Sequence, residues 1–152
     1  MRSLNLPTYS FKIKSEGTKQ YIFDKLRKKY VVLSPEEWVR QNFTWFLIEE
    51  RGFSPGRIVL EKSLKFNKLK KRCDILIYNQ RLEPVLMVEC KAPEVKINPG
   101  VFDQIAVYNL TFKVEYLIVT NGLNHYCARI DFQKEEVQFL KDIPNYNDIN
   151  PD

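Results

Sequence analysis

The chain has one histidine, three cysteines and no run near the roughly 20 apolar residues a membrane-spanning helix needs. No signal-peptide pattern opens it. These absences predict a cytoplasmic protein with no membrane partner. The cysteines, Cys73, Cys90 and Cys127, are odd in number and widely spaced, which fits no zinc motif. Cys73 and Cys90 fall in apolar runs, so buried structural thiols are expected. His125 follows Asn124 near a turn, where a packing or surface role is expected. Any mechanism requiring a histidine base would rest on that side chain alone.

What is present points to one folded domain. Hydrophobic residues make up 44% and aromatics 13% of the 152 residues, which argues against disorder and allows a real core. No internal repeat or second domain is visible. The net charge of +5 is compatible with a polyanionic partner. The cations are also clustered. Lys25, Arg27, Lys28 and Lys29 form one group, while Lys65, Lys68, Lys70, Lys71 and Arg72 lead directly into Asp74. Such clusters commonly solvate loops. The second is singled out because it delivers the chain to a carboxylate, where Lys68, Lys70, Lys71 and Arg72 would hold phosphates.

The order of elements predicts an α/β sandwich with a mixed central sheet and helices packed against it. Tyr9–Ile13, Gln20–Phe23 and Lys29–Leu33 read as short strands, with a turn at Glu16-Gly17. Ser34, Pro35 and Glu37 form an N-cap, first-turn proline and capping box for a helix that ends near Gly52. Further strands are expected at Arg57–Glu61, Arg72–Tyr78 and Val85–Ala92, with a second helix over Val101–Phe112. A buried strand follows at Val114–Thr120, then shorter ones at Tyr126–Phe132 and Val137–Leu140. The expected division is a strand-and-turn extension over 1–33, a main domain over 34–143 and a poorly ordered tail over 144–152.

The most informative stretch is the proposed hairpin of Arg72–Tyr78 and Val85–Ala92. If Asp74 pairs across from Glu89, the midpoint of the two numbers falls inside the polar connection 79–83, as antiparallel pairing requires. Glu89 and Lys91 then point the same way and Cys90 the other, so that Asp74, Glu89 and Lys91 are expected to share one patch of one sheet face. Two carboxylates and an ammonium among Ile, Leu, Met and Val are costly to desolvate unless compensated, and a divalent cation would compensate them. A second Glu-x-Lys, at Glu94-Val95-Lys96, follows Pro93 in a polar stretch and reads as a solvated loop. On the first helix, Glu36 shares a face with Val39, Arg40, Phe43 and Leu47, so its carboxylate could reach the same ion. A glutamate there also suits any helix N-terminus. Gln104 and Tyr108 are four apart and stack on one face of the second helix.

Five segments occur in a telling order: Pro35–Gln41, Arg72-Cys73-Asp74, Val88–Pro93, Gln104–Tyr108 and Thr120-Asn121-Gly122. Together they resemble the nuclease domain at the N-terminus of the restriction subunit of type I restriction-modification enzymes, within the PD-(D/E)xK nuclease superfamily. The likeness spans about residues 34–128. It implies a restriction-endonuclease-like fold, a DNA substrate, Mg²⁺ or Mn²⁺ as cofactor, and assembly with a partner subunit or a second copy. It further implies Asp74 and Glu89 as metal ligands, Glu36 as the helix acid, Lys91 as the catalytic lysine, and Gln104 and Tyr108 as an accessory pair. Cys73 stands where the superfamily pattern has proline, and no helicase motor follows within these residues. The alternative is a non-catalytic nucleic-acid-binding or assembly module on the same fold.

Overall fold

The longest helix begins where its capping residues place it. In the computed structural model, which describes residues 1–149 except the side chains of 107, 108, 110 and 111, α1 spans Pro35–Arg51. The Ser34 hydroxyl accepts the N–H of Glu37, and Gly52 closes the helix at φ 77°, a left-handed conformation that glycine adopts without strain. Before it lie β1 (Ile13–Glu16), β2 (Lys19–Asp24) and β3 (Lys29–Val32), an antiparallel three-stranded sheet. The expected strand at Tyr9–Ile13 forms only from Ile13 onward.

A turn of 3-10 helix leads from α1 into β4 (Ile58–Phe66), β5 (Leu69–Tyr78) and β6 (Pro84–Cys90). Helix α2 (Pro99–Phe112) crosses to β7 (Tyr116–Thr120), followed by β8 (His125–Asp131) and β9 (Glu136–Leu140). These six strands form one sheet in chain order. Only β6 and β7 are parallel, as their helical crossover demands. The sheet is therefore mixed and the architecture α/β.

Helices cover both faces of the sheet. On one, Val39, Phe43 and Leu47 of α1 pack on Ile75, Ile77, Leu86, Val88 and Ile118. On the other, Phe102 and Ala106 of α2 pack on Leu76, Met87, Leu117 and Val119. Every residue of β7 is buried, which explains the apolar run Tyr116–Val119 that precedes Thr120. The basic run is not a loop, because β5 begins at Leu69 and pairs with β4 through it.

The expectation of a poorly ordered tail does not hold for 144–149. Tyr146–Ile149 form a short helix α3, in which Ile149 is buried and the Tyr146 ring meets Phe53 edge-on. Two apolar side chains at the right spacing anchor this otherwise polar stretch. Residues 150–152 of the expected tail lie outside the described residues. At the other end, Asn5 donates its N–H to the Gly122 carbonyl, and Leu4 packs so closely on Gly122 that a Cβ there would meet it at 2.8 Å.

Candidate active site

The expected register is the observed one. Strands β5 and β6 pair Ile75 with Val88 and Leu76 with Met87, and one step further puts Asp74 opposite Glu89. Regular pairing stops there because the Asp74 carboxylate occupies the place of the next ladder bond, accepting the N–H of Cys90 at 2.7 Å. Lys91 follows two residues after Glu89 and continues the β6–β7 alignment by donating its N–H to the Thr120 carbonyl.

The two acids leave this register in different directions. Asp74 turns toward α1, where its second oxygen accepts from Arg40 Nη2 at 3.1 Å. Glu89 is flanked by Val88 and Cys90, both in the α1-side core, and its carboxylate meets Lys71 Nζ at 2.7 Å. The sequence expectation of one shared patch on one face thus holds for the pairing and not for the side-chain directions. The reason is an interruption of β5. Cys73 belongs to the α2-side core and Ile75 to the α1-side core, although two-residue alternation would put them together. Opposite this break, between the Lys62–Cys73 and Leu60–Ile75 pairs, Glu61 has φ 55°. A non-glycine residue in that conformation inside a strand is strained.

Glu61 belongs to a network that the sequence reading missed. Arg40, only 5% exposed, donates to Glu61 at 2.7 Å, to Glu37 at 3.2 Å and to Asp74. Arg72 also donates to Glu61, at 2.8 Å. Arg27 bridges Asp24, Glu37 and Glu61, and Gln41 donates to both Asp24 and Glu37. The Glu37 carboxylate is therefore spent on Arg27, Arg40 and Gln41, and Ser34 donates its own N–H to Val32. The expected capping box is only half present: the hydroxyl cap forms, and the reciprocal glutamate bond gives way to stronger charge-assisted ones. Sequence did carry signals for this network. Arg40 lies on the apolar stripe of α1, and Glu61 is the acid that directly follows the apolar run Ile58–Leu60.

The electrostatics bring together three of the expected acids. Burial raises the Asp74 pKa; the Cys90 N–H and Arg40 oppose the rise, Glu89 and Glu36 reinforce it, and the carboxyl reaches about 7. Burial also lifts the Cys90 thiol well above its ordinary value, with Asp74, Glu89 and Glu36 adding to the effect. Burial by itself would lower the Arg40 pKa, yet Glu37 and Asp74 outweigh it and keep the guanidinium charged. Glu36 is half exposed at the first turn of α1, 3.9 Å from Arg40. Among the described residues, no group of three or more His, Cys, Asp or Glu side chains is arranged to hold a metal ion.

The remaining expected site residues lie further out. Gln104 is exposed on α2, and Tyr108 stands one helical turn on, its side chain outside the described residues. Lys68 and Lys70 are exposed near the β4–β5 turn, whereas Lys71 and Arg72 are engaged with Glu89 and Glu61. The three cysteines are free and buried, Cys73 and Cys90 as expected. His125 has a structural role: its Nδ1 faces the Thr120 hydroxyl at 2.7 Å, its Nε2 faces the Asn5 carbonyl at 3.0 Å, and its ring packs on Phe43 and Phe46. Burial lowers its pKa, and the neutral ring with Nε2 protonated satisfies both bonds. No described helix is long and apolar enough to cross a membrane.

Comparison with known proteins gives a concordant result. The family model for the type I restriction enzyme R protein N terminus (HSDR_N) matches residues 35–144. A solved fragment described as an HsdR subunit of a type I restriction enzyme from Vibrio vulnificus YJ016 superposes with a TM-score of 0.53 at 22% identity. The superposition covers 77% of this chain and 24% of that one, so the chain spans about a quarter of its length. No curated protein matches. The family match reaches from the first turn of α1, through the Asp74–Glu89 register, past the last sheet strand, and the chain belongs to the family of type I restriction enzyme R protein N-terminal domains.

Proposed function

We infer that this chain is a metal-dependent nuclease domain that hydrolyses DNA phosphodiester bonds, in restriction or DNA processing. The observation that carries the reading is the register of Asp74 against Glu89, with Lys91 two residues on at the end of a buried strand. The oxygen chemistry of the pair fits a hard divalent ion, which would take the places that Arg40 and Lys71 hold beside Asp74 and Glu89 once the two side chains turn toward each other. Burial and the neighbouring acids Glu89 and Glu36 raise the Asp74 pKa, and a cation beside the carboxylate would oppose that rise. Mg²⁺ typically takes only one or two protein carboxylates together with water and substrate phosphate, so Asp74 and Glu89 suffice, with Glu36 at the periphery. Oxygen donors favour Mg²⁺ or Mn²⁺ over zinc.

When bound, such an ion supplies an activated water and offsets charge growing on the phosphate. The chain's own residues do the rest. The Cys90 N–H and Arg40 fix the Asp74 carboxylate, and Lys71 fixes that of Glu89. Lys91 neutralises negative charge on the scissile phosphate as an ammonium, or, as the neutral amine, takes the proton of the attacking water. Gln104 and Tyr108 on α2 orient the nucleic acid. A cytoplasmic location and assembly with a further subunit or a second copy accompany this reading.

A second reading has an observation of its own. Both acids already have a protein cation, Arg40 and Lys71, so the fold can be electrically balanced without metal. That arrangement suits a nucleic-acid-binding or assembly module. Incubating the purified chain with plasmid and single-stranded DNA, in Mg²⁺, Mn²⁺ or EDTA, separates the two. The nuclease reading expects cleavage that EDTA stops and that Lys91→Ala and Asp74→Ala each abolish while circular dichroism stays unchanged. Cleavage undiminished in both variants would refute the assigned site, and none with either metal would favour the second reading.

A further inference from the structure

The positive charge of this chain is concentrated in one place. Residues 62–72 hold six cations, Lys62, Lys65, Lys68, Lys70, Lys71 and Arg72, and no acid. Against a total of +5, the rest of the chain carries a net −1. The fold gives this segment a distinctive form. Strand β5 pairs with β6 only from Ile75 onward, whereas it pairs with β4 out to Phe66–Leu69. The end of the β4–β5 hairpin therefore runs past the rest of the sheet as a two-stranded ribbon. From Cys73 to Leu69 it extends about 14 Å, at ~3.4 Å per residue.

At the base of the ribbon, Lys71 pairs with Glu89 and Arg72 with Glu61. Lys62, Lys65, Lys68 and Lys70 are exposed, and the register puts Lys65 directly across from Lys70. At the tip, Phe66 and Leu69 face each other across the ribbon and are each 46% exposed, an apolar end framed by lysines.

Building on the nucleic-acid reading above, we propose that this ribbon is an arm that grips duplex DNA. Lys62, Lys65, Lys68 and Lys70 hold phosphates along a groove, and the Phe66–Leu69 tip wedges against the base stack. Duplex is favoured over single strand on two grounds. A two-stranded β-ribbon fits the roughly 12 Å major groove. Single-strand binders instead lay successive bases on several aromatic rings, and the ribbon has one. Apolar side chains wedged between base steps kink the duplex in proteins that bind the minor groove, and the exposed Phe66–Leu69 tip supplies a wedge of the same kind. The base of the ribbon ends at Cys73, next to Asp74, so DNA held along it is led to the acid pair.

The test is duplex binding by the full chain in EDTA, followed by fluorescence anisotropy across a salt series. For the triple variant Lys62→Gln, Lys65→Gln, Lys68→Gln, the slope of log affinity against log salt should shrink by about 2.7, roughly 0.9 for each phosphate that is no longer neutralised. The matched control Lys25→Gln, Lys28→Gln, Lys29→Gln should leave the slope unchanged. Phe66→Ala with Leu69→Ala should weaken binding at least about fivefold, the low end of a base-stacking interaction, and remove the signal of 2-aminopurine placed in the duplex. All variants should melt with the parent, since the altered side chains are exposed. A parent that binds no duplex at low salt overturns both this arm and the nucleic-acid reading. A parent that binds, with an unchanged slope in the ribbon triple, overturns the arm alone and leaves metal-dependent cleavage to be judged separately. Tighter binding of single-stranded DNA, abolished in the same variants, overturns the duplex assignment.

Discussion

Replacing Arg40 with methionine isolates the charge at the centre of the buried network while keeping most of the side-chain volume. Three carboxylates would lose a hydrogen-bond partner, and not equally. Glu37 keeps Arg27 and Gln41, and Glu61 keeps Arg72 and Arg27. Among the described residues, Asp74 keeps only the Cys90 N–H as a hydrogen-bond donor. Removing one partner of a buried ion pair costs about 3–5 kcal/mol, and with two of the three acids still paired the lower end applies. A kilocalorie shifts the melting temperature of a chain this size by roughly 2–4 °C, so Arg40→Met should melt about 6–12 °C below the parent at pH 8.

The pH dependence follows from sign. Burial already raises the folded-state Asp74 pKa above its unfolded value. The stability tied to that proton is therefore complete at low pH and lost as pH rises through about 7. Losing Arg40 raises the folded pKa further and widens this loss, so the deficit should be larger at pH 8 than at pH 5.5. Thermal melts followed by circular dichroism at the two pH values decide the matter, with Arg40→Met combined with Asp74→Asn as the coupled variant. A deficit under about 2 °C at pH 8 would refute the network's energetic role. An equal deficit at both pH values, or strict additivity in the double variant, would show that the loss does not pass through Asp74.

Two further outcomes test the site's surroundings. At Glu61, glycine should be better tolerated than alanine by roughly 1–2 kcal/mol in urea denaturation, because φ 55° strains any residue with a Cβ; equal stability of the two would argue against strain there. At His125, burial lowers the folded-state pKa, so stability is present above the unfolded pKa and is lost as pH falls through the lowered value. His125→Gln should flatten that acid-side loss in a melting-temperature profile, and an unchanged profile would remove His125 from the account.

Much of the fold could be read from residues with local causes. Ser34, Pro35 and Gly52 mark the ends of α1 through bonds made within a few residues. The connection 79–83 closes the β5–β6 hairpin because Asn79 Oδ1 accepts the N–H groups of Arg81 and Glu83. The apolar run of β7 announced a strand covered on both faces. The α3 turn was missed because its stability comes from Phe53 and the α1-side core, far away in sequence. Of the site, the Asp74–Glu89 register followed from counting across the turn. The partners of both acids did not, since Arg40, Glu61 and Lys71 approach from separate elements.

Sequence by itself determined which side chains are available and which strand pairing brings Asp74 opposite Glu89, because alternation and turn length are local arithmetic. It also concentrated the excess positive charge between 62 and 72. Tertiary structure alone decided where those charges go. A break in β5 opposite Glu61 turns Asp74 toward α1, so Arg40 takes one site acid and Lys71 the other. The physical reason is desolvation: a buried charge must find an opposite charge within a few ångströms, and only the packed fold determines which one is there.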